Sequence, residues 1–428
     1  MRDQIKAGYK QLDIGIIPED WDEVLIGDIF EFKNGLNKAK EFFGYGTPIV
    51  NYMDVFKFSG LRLDNVQGKV HVSFREKQNF SVKKRDVFFT RTSETVADIG
   101  IASVMLEDCH ETVFSGFLLR ARPKSQILNE DFCKYCFASF EVRKQITSKS
   151  TYTTRALTNG RLLSSVILPL PKLEEQIHIA EALSDVENLI KSLELLIKKK
   201  RDMKTATMQK LLTGKQRLFG FDDKWEEYKI KDFTHCVAGG TPSTLNDKYW
   251  NGEILWMSSG ELNNKFIHNV VGRITETGLK NSSTSLVPEK CVLIGLAGQG
   301  KTRGTAAINF ISLCTNQSIA AIFPSYKHCS LYLYYNLESR YSELREISSG
   351  GGGRGGLNLS IINNLVIPFP RLKEQKAISQ VLYDIDIEID LLEQRLAKTK
   401  SLKTGMMQEL LTGKTRLNKT YEYKEVTL

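Results

Sequence analysis

Residues 293–308 read LIGLAGQGKTRGTAAI, and within them Gly295, Gly300, Lys301 and Thr302 satisfy the pattern G-x-x-x-x-G-K-[ST] after a strand-like CVLI. In a phosphate loop that spacing lets backbone N–H groups cradle phosphates at the start of a helix. Here Lys301 and Thr302 are followed by RGTAAINFI, whose glycine and β-branched residues favour a turn into another strand. No apolar run ending in a metal-binding aspartate stands out downstream. Cys133-x-x-Cys136 has no matching second pair and reads as two buried helix cysteines, not a zinc site. The six histidines do not cluster, so no metal site is expected.

The elements that carry these residues come in two copies. ILPLPKLEEQIHIAEALSDVENLIKSLELL from Ile167 aligns without a gap to VIPFPRLKEQKAISQVLYDIDIEIDLLEQR from Val366, at an offset of 199, and MQKLLTGKQRL (208–218) to MQELLTGKTRL (407–417). His178 meets Ala377 in this alignment, which argues against catalysis by that histidine. Before these runs the likeness is weaker. WDEVLIGDIF from Trp21 pairs with WEEYKIKDF from Trp225 at 204, as DVFFTR (86–91) does with KCVLIG (290–295) and Gly100 with Gly304. The first copy reads TRTSETVADIG where the second has Gly-Lys-Thr, so a nucleotide site common to the repeat is not expected.

Ile179, Leu183, Val186, Ile190, Leu193 and Ile197 are spaced 4, 3, 4, 3, 4, a heptad seam. Their counterparts Ile378, Leu382, Ile385, Ile389, Leu392 and Leu396 are all apolar. Pro169/Pro171 and Pro368/Pro370 precede the runs, and Gly214 and Gly413 follow them, as helix starts and stops require. Each helix should span roughly 40 residues, or on the order of 60 Å. One stripe docks either on its own globular unit or on the other helix. The expected arrangement is that the two helices pair with each other as an antiparallel coiled coil, giving a pseudo-two-fold molecule with one globular unit at each end.

The globular units contain short apolar runs such as TPIVNYMDVF, DVFFTRTS, EILWMSSGEL and KCVLIGLAG, read as strands. Helical patterns cover 129–146 and 329–347. Each unit is therefore expected to be a mixed α/β (α+β) domain, giving a tandem repeat ordered 1–168, 169–217 (helical), 218–367, 368–417 (helical), with a tail at 418–428. Trp21 and Trp225 are read as anchors of the first strand of each core. Two loops per unit, TRTSETVAD (90–98) with SKSTYTTRALTNG (148–160) and GLAGQGKTRG (295–304) with SSGGGGRGGLN (348–358), mix Ser, Thr and Gly with Arg or Lys. Arg and Lys contact phosphates or guanine edges, and Asn and Gln suit adenine. The DNA-facing candidates are Arg91, Thr92, Ser93, Tyr152, Thr153, Thr154 and Arg155 in the first unit. In the second they are Gln299, Lys301, Thr302, Arg303 and Arg354, with Ser258, Ser259 and Glu261 secondary.

Composition agrees with a soluble protein that meets a polyanion without demanding one: 41% apolar and 25% charged residues, with 59 basic against 50 acidic and a formal net charge of +9. No run of about 18 apolar residues occurs, so no membrane partner is expected. Seven scattered cysteines and an N-terminus without an apolar core point to a reducing cytoplasm.

The paired LP-x-LEEQ…LLTGKQRL and FP-x-LKEQ…LLTGKTRL helices, GGTPST (239–244), EILWMSSGEL (253–262) and LIGLAGQGKTRGTAAI closely resemble the specificity subunit of bacterial type I restriction–modification systems. The first unit departs from the pattern, with KNGLNKAKEF (33–42) against AGGTPSTLND (238–247). The resemblance implies a subunit with no catalysis and no cofactor of its own. Each domain would read one half of a split double-stranded DNA target, with the helices setting the gap. Two methyltransferase subunits carrying S-adenosylmethionine would dock on it and methylate adenine, and restriction subunits using ATP and Mg would join them. The rival readings are a P-loop NTPase and an adaptor presenting two protein-binding domains.

Overall fold

The computed structural model describes residues 7–12, 15–152, 154–298, 300–349 and 356–417. They form two compact units that do not follow chain order. One comprises Met1–Leu193 with Arg395–Leu428, the other Glu194–Gln394. Each unit thus holds a globular domain, the start of one long helix and the end of the other.

The two domains repeat each other strand for strand. The first has a five-stranded sheet in the order Phe30–Asn34, Leu118–Pro123, Val87–Thr90, Ala102–Met105, Gly60–Leu61. The second has Cys236–Ala238, Ile319–Ile322, Val292–Gly295, Ala306–Asn309, Phe266–Ile267. In both, only the last pair is parallel. The central strands VFFT, VLIG, AAIN and IAAI are buried at every position, which is why they read as unbroken apolar runs instead of alternating ones. A three-stranded sheet built on Phe43–Val50 or Trp250–Met257 completes each domain.

Local sequence overrides some of the expected elements. The strands ending at Val50 and Met257 do not continue through MDVF and SSGEL. The Asn51 N–H donates to Asp54 (2.8 Å) and the Ser258 N–H to Glu261 (2.9 Å), turning the chain into helical turns at Tyr52–Lys57 and Ser259–Asn264. The first helical pattern breaks into 3-10 turns at Phe132–Lys134 and Cys136–Ala138. A helix follows only over Phe140–Lys149, where Ser139 supplies the cap. Its counterpart is two helices, Ser330–Ser339 and Tyr341–Ser349. Cys133 and Cys136 are buried in the core of the first unit, and no metal-holding cluster of His, Cys, Asp and Glu occurs among the described residues.

The long helices are Leu173–Leu211 and Leu372–Leu410, 39 residues each. All twelve seam residues are buried or half-buried. Docking and pairing turn out to be one arrangement. Ile179 and Leu183 pack with Trp21 and Phe137 of the first domain and with Leu410, the last residue of the second helix, and Leu411 just after it. Ile378 and Leu382 pack with Tyr332 and Tyr335 and with Met208 and Leu211. The pairing is antiparallel, because numbers rise along one helix as they fall along the other. In the second unit Lys200 meets Glu388 (2.7 Å) and Lys204 meets Asp386 (2.8 Å). In the first, Lys403 approaches Glu187 at 3.7 Å.

Two duplicated latches account for the residues that the helices share. Glu175 accepts the Trp21 indole N–H (2.9 Å) and a two-pronged contact from Arg416, Nε at 2.7 Å and Nη2 at 2.9 Å. Glu374 accepts Trp225 (3.0 Å) and Arg217, at 2.6 and 2.7 Å. Each arginine comes from the tail of the other helix. Beside each glutamate a glutamine closes onto the domain: Gln176 accepts the Asn129 N–H and Gln375 the Cys329 N–H, both at 2.8 Å. Farther along, Tyr135 donates to Glu187 (2.8 Å) and Tyr335 to Asp386 (2.9 Å). Trp21 and Trp225 therefore anchor the domain to the helices. The strands after them pair only with Ile167–Leu170 and Val366–Phe369, short ribbons that accommodate Pro169 and Pro368.

Candidate nucleic-acid interface

In the first unit the two candidate loops, far apart in sequence, form one small sheet. Thr92–Ser93 pairs with Ala156–Leu157, which pairs with Thr151–Tyr152, and the Thr158 N–H donates to the Arg91 carbonyl at 3.0 Å. Thr154 and Arg155 are exposed at the hairpin tip, and Tyr152 is 60% exposed beside them. Arg91 and Thr92 are half-buried, Thr92 on an edge strand of this sheet, whose centre is Ala156–Leu157. Ser93 is 7% exposed and its hydroxyl accepts the Thr95 N–H, so it shapes the loop from within. Thr153 lies outside the described residues.

The second unit brings its loops together at the same place. The Leu357 N–H donates to the Leu296 carbonyl at 2.9 Å. Lys301 is exposed, and Thr302 and Arg303 are half-buried. Gln299 and Arg354 lie outside the described residues. Gly304 N–H closes the loop onto the Gly295 carbonyl at 2.9 Å. Lys301 is followed by the strand Ala306–Asn309, antiparallel to Val292–Gly295, so the glycine-lysine-threonine run sits on a hairpin and caps no helix. Ser258, Ser259 and Glu261 are half-buried. Glu261 receives the N–H and hydroxyl of Ser258 and the Val271 N–H, so its carboxylate is occupied in holding the turn.

One loop of each pair is held from behind by an arginine that is not among the sequence candidates. Arg143 donates to the carbonyls of Gly100 (2.8 Å), Ala97 (2.8 Å) and Ile99 (2.7 Å). Arg345 donates to the Gly300 carbonyl, and Tyr341 to that of Lys301 (3.1 Å). The signal was present as Glu-x-Arg at 141–143 and again at 343–345.

Two further loops extend each site into a row. In the first unit Leu36 N–H bonds Phe114 O, Gly116 N–H bonds Leu36 O, and Arg91 N–H bonds Phe117 O, at 2.8 to 2.9 Å. Phe117 is 59% exposed. In the second, Gly240 N–H bonds Thr315 O and Leu296 N–H bonds Ser318 O, each at 2.8 Å. A Cβ on Gly239 would lie 2.2 Å from the Thr315 carbonyl oxygen. The glycines of GGTPST therefore let two loops of the domain close on each other; they do not clear space for a ligand.

A duplicated domain, each copy presenting basic and hydroxyl side chains on converging loops and tied to the tail of the other copy's helix, defines a tandem-repeat architecture. The chain belongs to the family described as the type I restriction modification DNA specificity domain, matched over residues 18–200 and again over 222–401. It is 25% identical over 437 residues to the putative type I restriction enzyme MjaX specificity subunit of Methanocaldococcus jannaschii, covering 96% of this chain and 97% of that one. It is 24% identical to the MjaVIII specificity subunit of the same organism, with the same coverage. The fold is that of a type I restriction-modification S subunit from M. genitalium, at a TM-score of 0.58 and 15% identity over 91% of this chain and 96% of that one. No helix among the described residues is long and apolar enough to cross a membrane.

Proposed function

We propose that each domain reads one half of a split duplex target, that the paired helices set the distance between the halves, and that the chain supplies recognition without catalysis. The observation that carries this is the loop row. The same backbone bonds recur in both units, yet the side chains displayed differ: Tyr152, Thr154 and Arg155 in one, Lys301 and Arg303 in the other. A duplicated scaffold with divergent basic loops suits two different stretches of double-stranded DNA. Methyltransferase subunits dock along the helices, whose exposed side chains include Leu195, Leu391 and Leu402 at 69, 58 and 56%. Those subunits supply S-adenosylmethionine and adenine methylation. Restriction subunits supply ATP and Mg chemistry, and the complex works in the cytoplasm. Methylome sequencing of host cells with and without the gene tests this reading: a split adenine motif is present with the gene and vanishes without it. An unchanged methylome overturns it.

A further inference from the structure

A bulge interrupts the small sheet of each unit at the same place. Phe43 and Thr47 both pair with Val70, and Trp250 and Ile254 both pair with Ile274. Three residues loop out in each case, Gly44-Tyr45-Gly46 in the first unit and Asn251-Gly252-Glu253 in the second. Such bulges re-aim side chains. The first one demands glycine: Gly44 and Gly46 have φ of 100° and 92°, and a Cβ on Gly46 would lie 2.9 Å from the Val70 carbonyl oxygen. Asn251 takes φ of 61° in the second.

The excursion buries nothing, since Phe43, Gly44, Tyr45 and Gly46 are all exposed. What it does is present a ring. Tyr45, 53% exposed, stacks on His71 with centroids 5.6 Å apart and planes 20° apart, and Phe42 lies 6.5 Å from the same imidazole at 15°. Lys38 Nζ sits 4.7 Å over Phe42 and donates to the His71 carbonyl (3.0 Å). Lys38 follows directly on the Leu36–Asn37 segment that contacts Gly116, whose neighbour Phe117 bonds Arg91. The bulge is therefore the far end of the loop row. The second unit connects likewise: Trp250 Nε1 donates to Ser243 O (3.1 Å) and Trp256 Nε1 to Gly240 O (3.0 Å). There the bulge displays exposed Asn251 and Glu253 instead of a ring.

We infer that this bulge is a further DNA-reading element in each unit, and that Tyr45 stacks on a nucleobase at the edge of the first unit's half-site. The inference rests on the DNA-reading function proposed above. A ring held out of the sheet on a preformed aromatic stack is a wedge suited to an unstacked base step. One backbone displaying tyrosine in one unit and asparagine in the other lets the two contacts differ in what they select.

The test uses the full chain co-purified with its host's methyltransferase subunits and a duplex carrying the motif found by methylome sequencing. Tyr45→Ala is expected to weaken binding about 5- to 150-fold, the range for loss of one stacked base, while Tyr45→Phe binds like the parent. In a Tyr45→Trp variant, duplex addition quenches the emission of the new indole, a signal that a purely structural ring would not give. Arg155→Ala is run beside them. If Arg155→Ala weakens binding but Tyr45→Ala does not and the indole is unquenched, the bulge assignment is wrong and the DNA-reading function stands. If neither Arg155→Ala nor Tyr45→Ala weakens binding, the underlying function falls and this inference with it.

Discussion

Arg416→Ala breaks the latch of the first unit at a point where the structure sets the size of the effect. The guanidinium meets both oxygens of Glu175 and both of Asp20, the latter at 2.8 Å each. Glu175 keeps only 8% of its side chain exposed, whereas Asp20 keeps 45%. Removing the arginine leaves Glu175 buried and charged with the Trp21 N–H as its remaining partner among these contacts. Stranding one member of a buried pair costs about 3–5 kcal/mol. The exposed Asp20 contact adds less than about 1 kcal/mol after solvent screening. Arg371→Ala is the comparison, because its contact with Asp223 is 77% exposed on the arginine side and should cost under about 1 kcal/mol. The assay is guanidinium unfolding with hydrogen exchange followed over 395–417. Arg416→Ala should lower stability by about 3 kcal/mol or more and raise exchange in that segment. Adding Glu175→Gln should recover part of the loss, since a neutral amide tolerates burial better than an unpaired carboxylate. A stability change under about 0.5 kcal/mol, no larger than that of Arg371→Ala, refutes the reasoning.

Lys301→Ala or Arg303→Ala should each weaken target binding by about 1–3 kcal/mol if the contact is direct, read by a salt titration; parent-like affinity across the titration removes that loop from the interface. Burial pushes the His328 imidazole down to about 4, so between its unfolded value near 6.5 and pH 4 the unfolded chain binds the proton first. Stability of the second unit therefore falls as pH drops through that window, by about 3 kcal/mol at most. His328→Gln should flatten the slope, and an unchanged pH profile in that variant contradicts the assignment. Burial also pushes the thiols of Cys236 and Cys291 up to about 12. Both should resist iodoacetamide at pH 8 until the chain unfolds, and fast native-state labelling by mass spectrometry would show that they are accessible.

The helices were legible because their signal is local. A seam at 4-3 spacing, proline before and glycine after, and a second copy to compare fixed length and partner face from sequence. The latch was half legible: Trp21, Glu175 and Arg416 recur as Trp225, Glu374 and Arg217, but nothing in the chain says that each arginine crosses to the other helix's start. The loop row was less legible still. Pairing Thr92–Ser93 with Ala156–Leu157 joins segments with a whole strand-and-turn region between them, and such closure depends on tertiary packing, not on local propensity. Gly239 has a role that local sequence does not reveal. Glycine marks close approach, and sequence cannot tell whether the approaching surface is a ligand or, as here, the Thr315 backbone. Ser93 and Glu261 also hold loops in shape, a use that residue type alone does not reveal.

The central claim is that each domain governs one half of the target. The most direct measurement is methylome sequencing of cells in which Arg91 and Arg155 are replaced by alanine together while Lys301 and Arg303 are kept. The account predicts that base preference relaxes, or methylation drops, through one half of the split motif only, with the other half read as before. Equal relaxation of both halves, or an intact motif at full occupancy, would contradict it.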